Sequence, residues 1–155
     1  MGQKKISLIM GCDHAAFQLK ETIKAYLLGR GVEVEDVGTY GEDSVDYPDF
    51  GARVAEQISA GKFKRGILIC GTGLGMSMVA NKYAHVRAAL CNDLFLAKMS
   101  RRHNDANILV LGGRVIGDVL AIEIVQTWLD TPFDGGRHQQ RLDKFNDTGD
   151  LRFCG

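Results

Sequence analysis

What the 155-residue chain lacks narrows its function before any motif is read. It has no net charge, because nineteen Lys and Arg balance nineteen Asp and Glu. Broad binding to nucleic acid or another polyanion needs a basic excess, so nothing points to that class and any basic site must be a local cluster. There is no Cys-x-x-Cys pair either. Cys12, Cys70, Cys91 and Cys154 are spaced unlike a small disulfide scaffold. The first residues show no signal-peptide pattern, so the expectation is reduced thiols in the cytoplasm. No apolar run approaches the roughly 20 residues that span a bilayer, and no membrane association is expected. The opening MGQKKIS has Ile6 where a myristoylation pattern needs Ser or Thr. Internal repeats and low-complexity linkers are also missing. The length suits one domain with a real core, expected over residues 1–147, with the aperiodic stretch 148–155 as a tail.

What is present is an alternation of strand and helix. Apolar runs at 6–10, 32–37, 66–70, 86–91 and 108–111 read as buried strands. Between them, Ala16, Leu19, Ile23 and Leu27 recur at helical spacing, Pro48 suits an early helix position, and Val54 and Ile58 mark a buried face. Further helices are predicted over 73–83, 93–102, 117–129 and about 137–146. This order means right-handed βαβ units and a parallel sheet covered on both faces. Ligands of such sheets bind outside the carboxyl ends of the strands. Those ends carry GCDH (11–14), CGTGLG (70–75), CND (91–93) and GGR (112–114).

The stretch ILICGTGLGMSMVANK (67–82) is the most informative. Gly71 and Gly73 begin a dinucleotide fingerprint, but Met76 stands where its third glycine belongs. A Walker loop fails for want of Gly-Lys-Ser/Thr. A tyrosine-phosphatase-like loop fails because Met76 again replaces the required Arg. What remains is a run of backbone N–H groups over 71–75, leading into a helix N-terminus that favours negative charge. Such a turn can hold phosphate or a developing oxyanion. Cys70 borders the same field, which favours thiolate over thiol and suits a base or nucleophile. The competing reading is an inert buried strand cysteine.

Three other clusters carry chemistry. Asp13 can cap the helix after the first strand, and His14 beside it can bind an anion or shuttle a proton. His103 and Asn104 follow the fourth helix in SRRHNDAN (100–107), where Arg and His commonly just satisfy carbonyls. In GGRHQQR (135–141), Arg137 and Arg141 share a helix face near its start, a poor place for cations unless an anion binds there. His14, His103, His138 and Cys70 lack the usual ligand spacing, so no metal site is expected.

Taken together, GCDHAAF, DYPDF, ILICGTGLGMSMVANK, SRRHNDANIL and GGRHQQR resemble the type B ribose-5-phosphate isomerases, a family that also includes galactose-6-phosphate and allose-6-phosphate isomerases. The resemblance runs from about Lys5 to about Lys144. It implies a Rossmann-like three-layer α/β sandwich with a five-stranded parallel sheet and a C-terminal helix. It also implies a homodimer with shared sites, or a tetramer of two such dimers, and an aldose–ketose interconversion through an enediolate with no cofactor. Carried over by motif, Cys70 is the base, and the amides of Gly71, Thr72, Gly73, Leu74 and Gly75 hold the enediolate oxygens, with Thr72 assisting proton transfer. His103 opens the furanose ring with Asp13 opposite, and Asn104 binds a substrate hydroxyl. His14, Arg114, Arg137 and Arg141 form the phosphate pocket, and Cys12 and Tyr47 also line the substrate site. The resemblance further implies that His103 and Asn104 reach the site from the other subunit. Some members replace the cysteine by a Glu a few residues later; Met76 at that place marks the cysteine form. Ribose 5-phosphate to ribulose 5-phosphate is the leading reaction. A six-carbon sugar-phosphate isomerase and a non-catalytic sugar-phosphate binder are the alternatives.

Overall fold

The structure is a computed structural model that describes residues 7–145. The 148–155 stretch, Cys154 included, lies outside the described residues. Strands β1 (Ser7–Cys12), β2 (Glu33–Asp36), β3 (Gly66–Cys70), β4 (Ala88–Leu90) and β5 (Ile108–Gly112) form one parallel sheet in the order β2-β1-β3-β5-β4. The helices are α1 (Phe17–Gly29), α2 (Tyr47–Ser59), α3 (Leu74–Ala80), α4 (Leu94–Arg102), α5 (Asp118–Asp130) and α6 (Arg137–Asp143). None of the described helices is long and apolar enough to cross a membrane.

Strand order and the right-handed crossover rule together decide which face each helix covers. The steps β1 to β2 and β4 to β5 run in one direction across the sheet, so α1 and α4 share a face. The steps β2 to β3 and β3 to β4 run the other way, so α2 and α3 share the opposite face. The core divides accordingly. Leu8 and Met10 of β1, Ile67 and Ile69 of β3 and Leu109 and Leu111 of β5 pack with Ile23 and Leu27 of α1, Ala97 of α4 and Trp128 of α5. Ile9, Leu68, Cys70, Ile108 and Val110 pack with Val54 and Ile58 of α2 and Met76 and Ala80 of α3. The three central strands are apolar at nearly every position because both of their faces are covered. The chain reverses direction between β1 and β3, and that switch point opens the crevice used by ligands in open α/β sheets.

Several element bounds differ from the sequence expectation, each for a local reason. The strand expected over 86–91 keeps its ladder only at Ala88–Leu90. Here the Asn107 side chain takes the Arg87 amide at 2.7 Å, and Asn81 brackets Ala88 with bonds of 2.9 and 3.0 Å. By turning to β4, Asn81 also ends α3 at Ala80 rather than near residue 83. The helix after β1 opens as a 3₁₀ turn, His14–Ala16, because Asp13 accepts the Ala15 amide at 3.1 Å. The last helix stops at Asp143 rather than near residue 146.

Candidate active site

The carboxyl ends of β1, β3 and β5 gather one group of the expected residues. The register sets Cys12 against Ile69 and Cys70 against Gly112, so Asp13 lies across from Cys70, about 5 Å away at ordinary strand spacing. The Asp13 amide donates to the Ile69 carbonyl, and the carboxyl is buried. The Cys70 thiol is 4% exposed, and the Gly73 N–H points at its sulfur from 3.2 Å. Thr72 accepts the Leu74 amide at 3.2 Å, which leaves its own hydroxyl proton free to donate. Gly73 has φ +84, a conformation that L side chains rarely adopt. At Gly75 a Cβ would fall 2.5 Å from the Tyr47 ring, so the first turn of α2 lies directly against the glycine turn. Arg114 is tied to the same turn by its amide, 2.9 Å from the Gly71 carbonyl, and its side chain lies along Gly71. His14 Nδ1 accepts the Val45 amide at 3.1 Å, so the neutral ring carries its proton on Nε2, facing away from that bond.

Behind this group lies an ion cluster that the sequence did not suggest. Lys20 is fully buried and bonds both Asp36 oxygens, at 2.6 and 2.7 Å, and the Thr39 carbonyl at 2.8 Å. Burial alone would push the Asp36 carboxyl up. Bonds from Lys20, Lys24 and the Gly38 amide outweigh it and hold the group below its ordinary value. The cluster pins the 36–39 segment, which exchanges backbone hydrogen bonds with Cys12, and so fixes the end of β1 where Asp13 begins.

The remaining expected residues lie at the opposite end of the sheet. His103 caps α4, just before Asn107, whose carbonyl accepts the Gly66 amide at the start of β3. Gly66 and Cys70 are separated by four strand steps, about 13 Å. Around His103 sit Asn104, the Arg102–Asp134 ion pair at 3.0 Å, and α6. The His103 and His138 rings stack at 4.2 Å with 9° between their planes. Burial foremost, then His103, Arg137 and Arg141, push the His138 imidazole down. Within one chain, therefore, Arg137 and Arg141 do not meet His14 and Arg114, and His103 and Asn104 do not meet Cys70.

Three comparisons with known proteins bear on this arrangement. A model of the Ribose/Galactose Isomerase family matches residues 8–145. The chain belongs to this family. It is 49% identical to ribose-5-phosphate isomerase B of Escherichia coli, over 90% of this chain and 93% of that one. Its fold superposes on Clostridium thermocellum ribose-5-phosphate isomerase B with a TM-score of 0.91 at 52% identity, over 92% and 97% of the two chains. It also superposes on the Mycoplasma genitalium enzyme, solved with bound ribulose-5-phosphate, with a TM-score of 0.91 at 37% identity, over 97% and 100%.

Within this ribose/galactose isomerase the described thiols are unequal. Burial pushes Cys12 up to about 12 and Cys91 up to about 11, so both stay protonated and inert. The Cys12 side chain belongs to the core, and only its backbone borders the site. Nitrogen and oxygen atoms of His103, Asp134 and His138 lie within 4.8 Å of one another, a set that could hold a metal ion. Arg102 already occupies Asp134, and Arg137 and Arg141 add positive charge, a field that suits an anion better than a cation. The four residues weighed as zinc ligands divide between the two ends of the sheet, His14 and Cys70 at one and His103 and His138 at the other. Sequence reading missed Asp134 and Arg102 because their roles appear only once α4 and α6 meet.

Proposed function

We propose that the protein interconverts ribose 5-phosphate and ribulose 5-phosphate through an enediolate, in sites shared between two copies of the chain. The observation that carries this reading is the Cys70 thiol at the mouth of the glycine turn, with Asp13 across from it. In the open-chain aldose, the Cys70 thiolate removes the C2 proton and returns it to C1. Negative charge builds on the substrate oxygens as the proton leaves. The Gly73 and Leu74 amides already serve the Cys70 sulfur and the Thr72 hydroxyl oxygen, so the oxyanion cradle falls to Gly71, Thr72 and Gly75. The Thr72 hydroxyl relays a proton between the two oxygens. No redox cofactor is needed, because the electron pair moves within the substrate.

His103, Asn104, Arg137 and Arg141 would come from a second copy, set so that its amino-end cluster faces the carboxyl-end crevice. His103 then donates a proton to the furanose ring oxygen while Asp13 receives one from the C1 hydroxyl. His14 and Arg114, with the second copy's Arg137 and Arg141, grip the phosphate, and that remote binding orients the reacting carbons. Self-association is supported at the β4 edge. There α3 exposes Leu74 and Met78, and α4 exposes Leu94 and Phe95, the last at 70%. The three described cysteines are free thiols, which supports a reducing, cytoplasmic setting.

Ketose formation from ribose 5-phosphate, followed for the parent and for Cys70→Ala, tests the base assignment. The parent should turn over, and the variant should bind substrate without turning it over. Near-normal turnover by the variant would remove Cys70 as base. Comparing kcat/KM for ribose 5-phosphate and allose 6-phosphate separates five- from six-carbon specificity, which the shared glycine turn does not decide.

A further inference from the structure

The mechanism asks His103 to deliver a proton to one oxygen, yet among the described residues no hydrogen bond fixes its ring. Its backbone N–H closes the end of α4 on Met99. Among the described residues its stacking partner is the flat face of His138, with ring centroids 4.2 Å apart and planes within 9° of parallel. His138 is itself only 8% exposed, seated on α6 between the two arginines assigned to phosphate.

We propose that His138 is the positioning residue for His103, a flat platform that sets the plane of the acid's ring toward the sugar. This rests on the reading of His103 as the ring-opening acid. The groups facing the pair are Arg102 from the end of α4, Asp134 from the loop between α5 and α6, and Arg137 and Arg141 from α6. Burial and three neighbouring cationic or protonatable groups disfavour a charge on His138. It therefore does not compete for the proton it helps aim. Two stacked imidazoles cannot both be charged without strong repulsion. With His138 neutral, its π face can also lie against a protonated partner without that penalty. A platform of this kind needs a flat ring rather than a titrating one.

Replacing His138 by Phe and by Ala separates those two properties. His138→Phe should keep kcat on ribose 5-phosphate within about 3-fold of the parent. His138→Ala should lower kcat by about 10- to 100-fold with KM changed less than about 2-fold, as loss of orientation does. Proton NMR of the His103 ring gives a second readout. The upfield ring-current shift from the stack should persist in the Phe variant and vanish in the Ala variant. If His138→Ala does not fold, His138→Leu fills the space without a flat face and is judged by the same criteria. An unchanged kcat after loss of the stack would overturn the proposal. So would a raised KM at constant kcat, or a Phe variant that keeps the stack and loses turnover. A parent inactive on ribose 5-phosphate would instead overturn the functional reading, and this proposal with it.

Discussion

The two ends of the sheet are built on opposite principles. At the carboxyl end, strand termini and tight turns hold a buried thiol, a buried carboxyl and a row of amides, braced from behind by the Lys20–Asp36 pair. At the amino end, the close of α4, the loop after α5 and α6 bring together two histidines and three arginines, and Arg137, Arg141 and Asn104 are exposed. On the proposed reading the first end supplies base and oxyanion cradle, with Arg114 beside the turn. The second would supply cations and the ring-opening acid. Each would then be half of a sugar-phosphate site. The difference teaches that chemistry requiring fixed geometry sits on strand ends, while charge that need only reach a phosphate sits on helix ends.

Mutations can break this contrast, and the largest effect is expected at the base. Cys70→Ala should lower kcat by about 10³-fold with little change in KM, read from steady-state kinetics. Lys20→Met should cost about 3–5 kcal/mol in denaturant unfolding, because it leaves Asp36 without its buried partner. Adding Asp36→Leu to that variant should recover much of the loss. At the amino end, Arg137→Ala and Arg141→Ala should each raise KM by about 10- to 100-fold, the worth of a charge-assisted hydrogen bond, and leave unfolding nearly unchanged. A smaller effect is expected in acid. The folded Asp36 carboxyl sits below its ordinary value of 3.8, so its contribution is complete above about pH 4 and fades as pH falls further. Asp36→Asn should flatten that limb of the stability curve. Equal KM effects from both ends of the sheet, or a loss of stability at the arginines, would erase the distinction.

The carboxyl end was legible in the sequence because its logic is local. Three apolar residues, a thiol, three glycines and a helix lie within fifteen positions, and the strand-end rule places Asp13 and Cys70 side by side. The parallel five-stranded fold followed from the same alternation. The amino end was only half legible. GGRHQQR and SRRHNDAN each read as basic helix ends, but 35 positions separate His103 from His138 and no periodicity announces the stack. Motif resemblance put all four phosphate-pocket residues in one list. Topology divided them, because α5 runs back along the sheet from the end of β5 before α6 begins. Lys20 stayed hidden for another reason: a lysine on a helix reads as solvated until its partner, 16 residues on, is seen beneath it.

The division of the site is the claim most open to direct test. Cys70→Ala and His103→Ala, each inactive by itself, are mixed after dissociation and allowed to reassemble. If one copy's Cys70 works with the other copy's His103, half of the random dimers carry one intact site, and about a quarter of parental activity returns. If the site lies within a single chain, every copy in the mixture is defective and no activity returns, a result that would contradict the account.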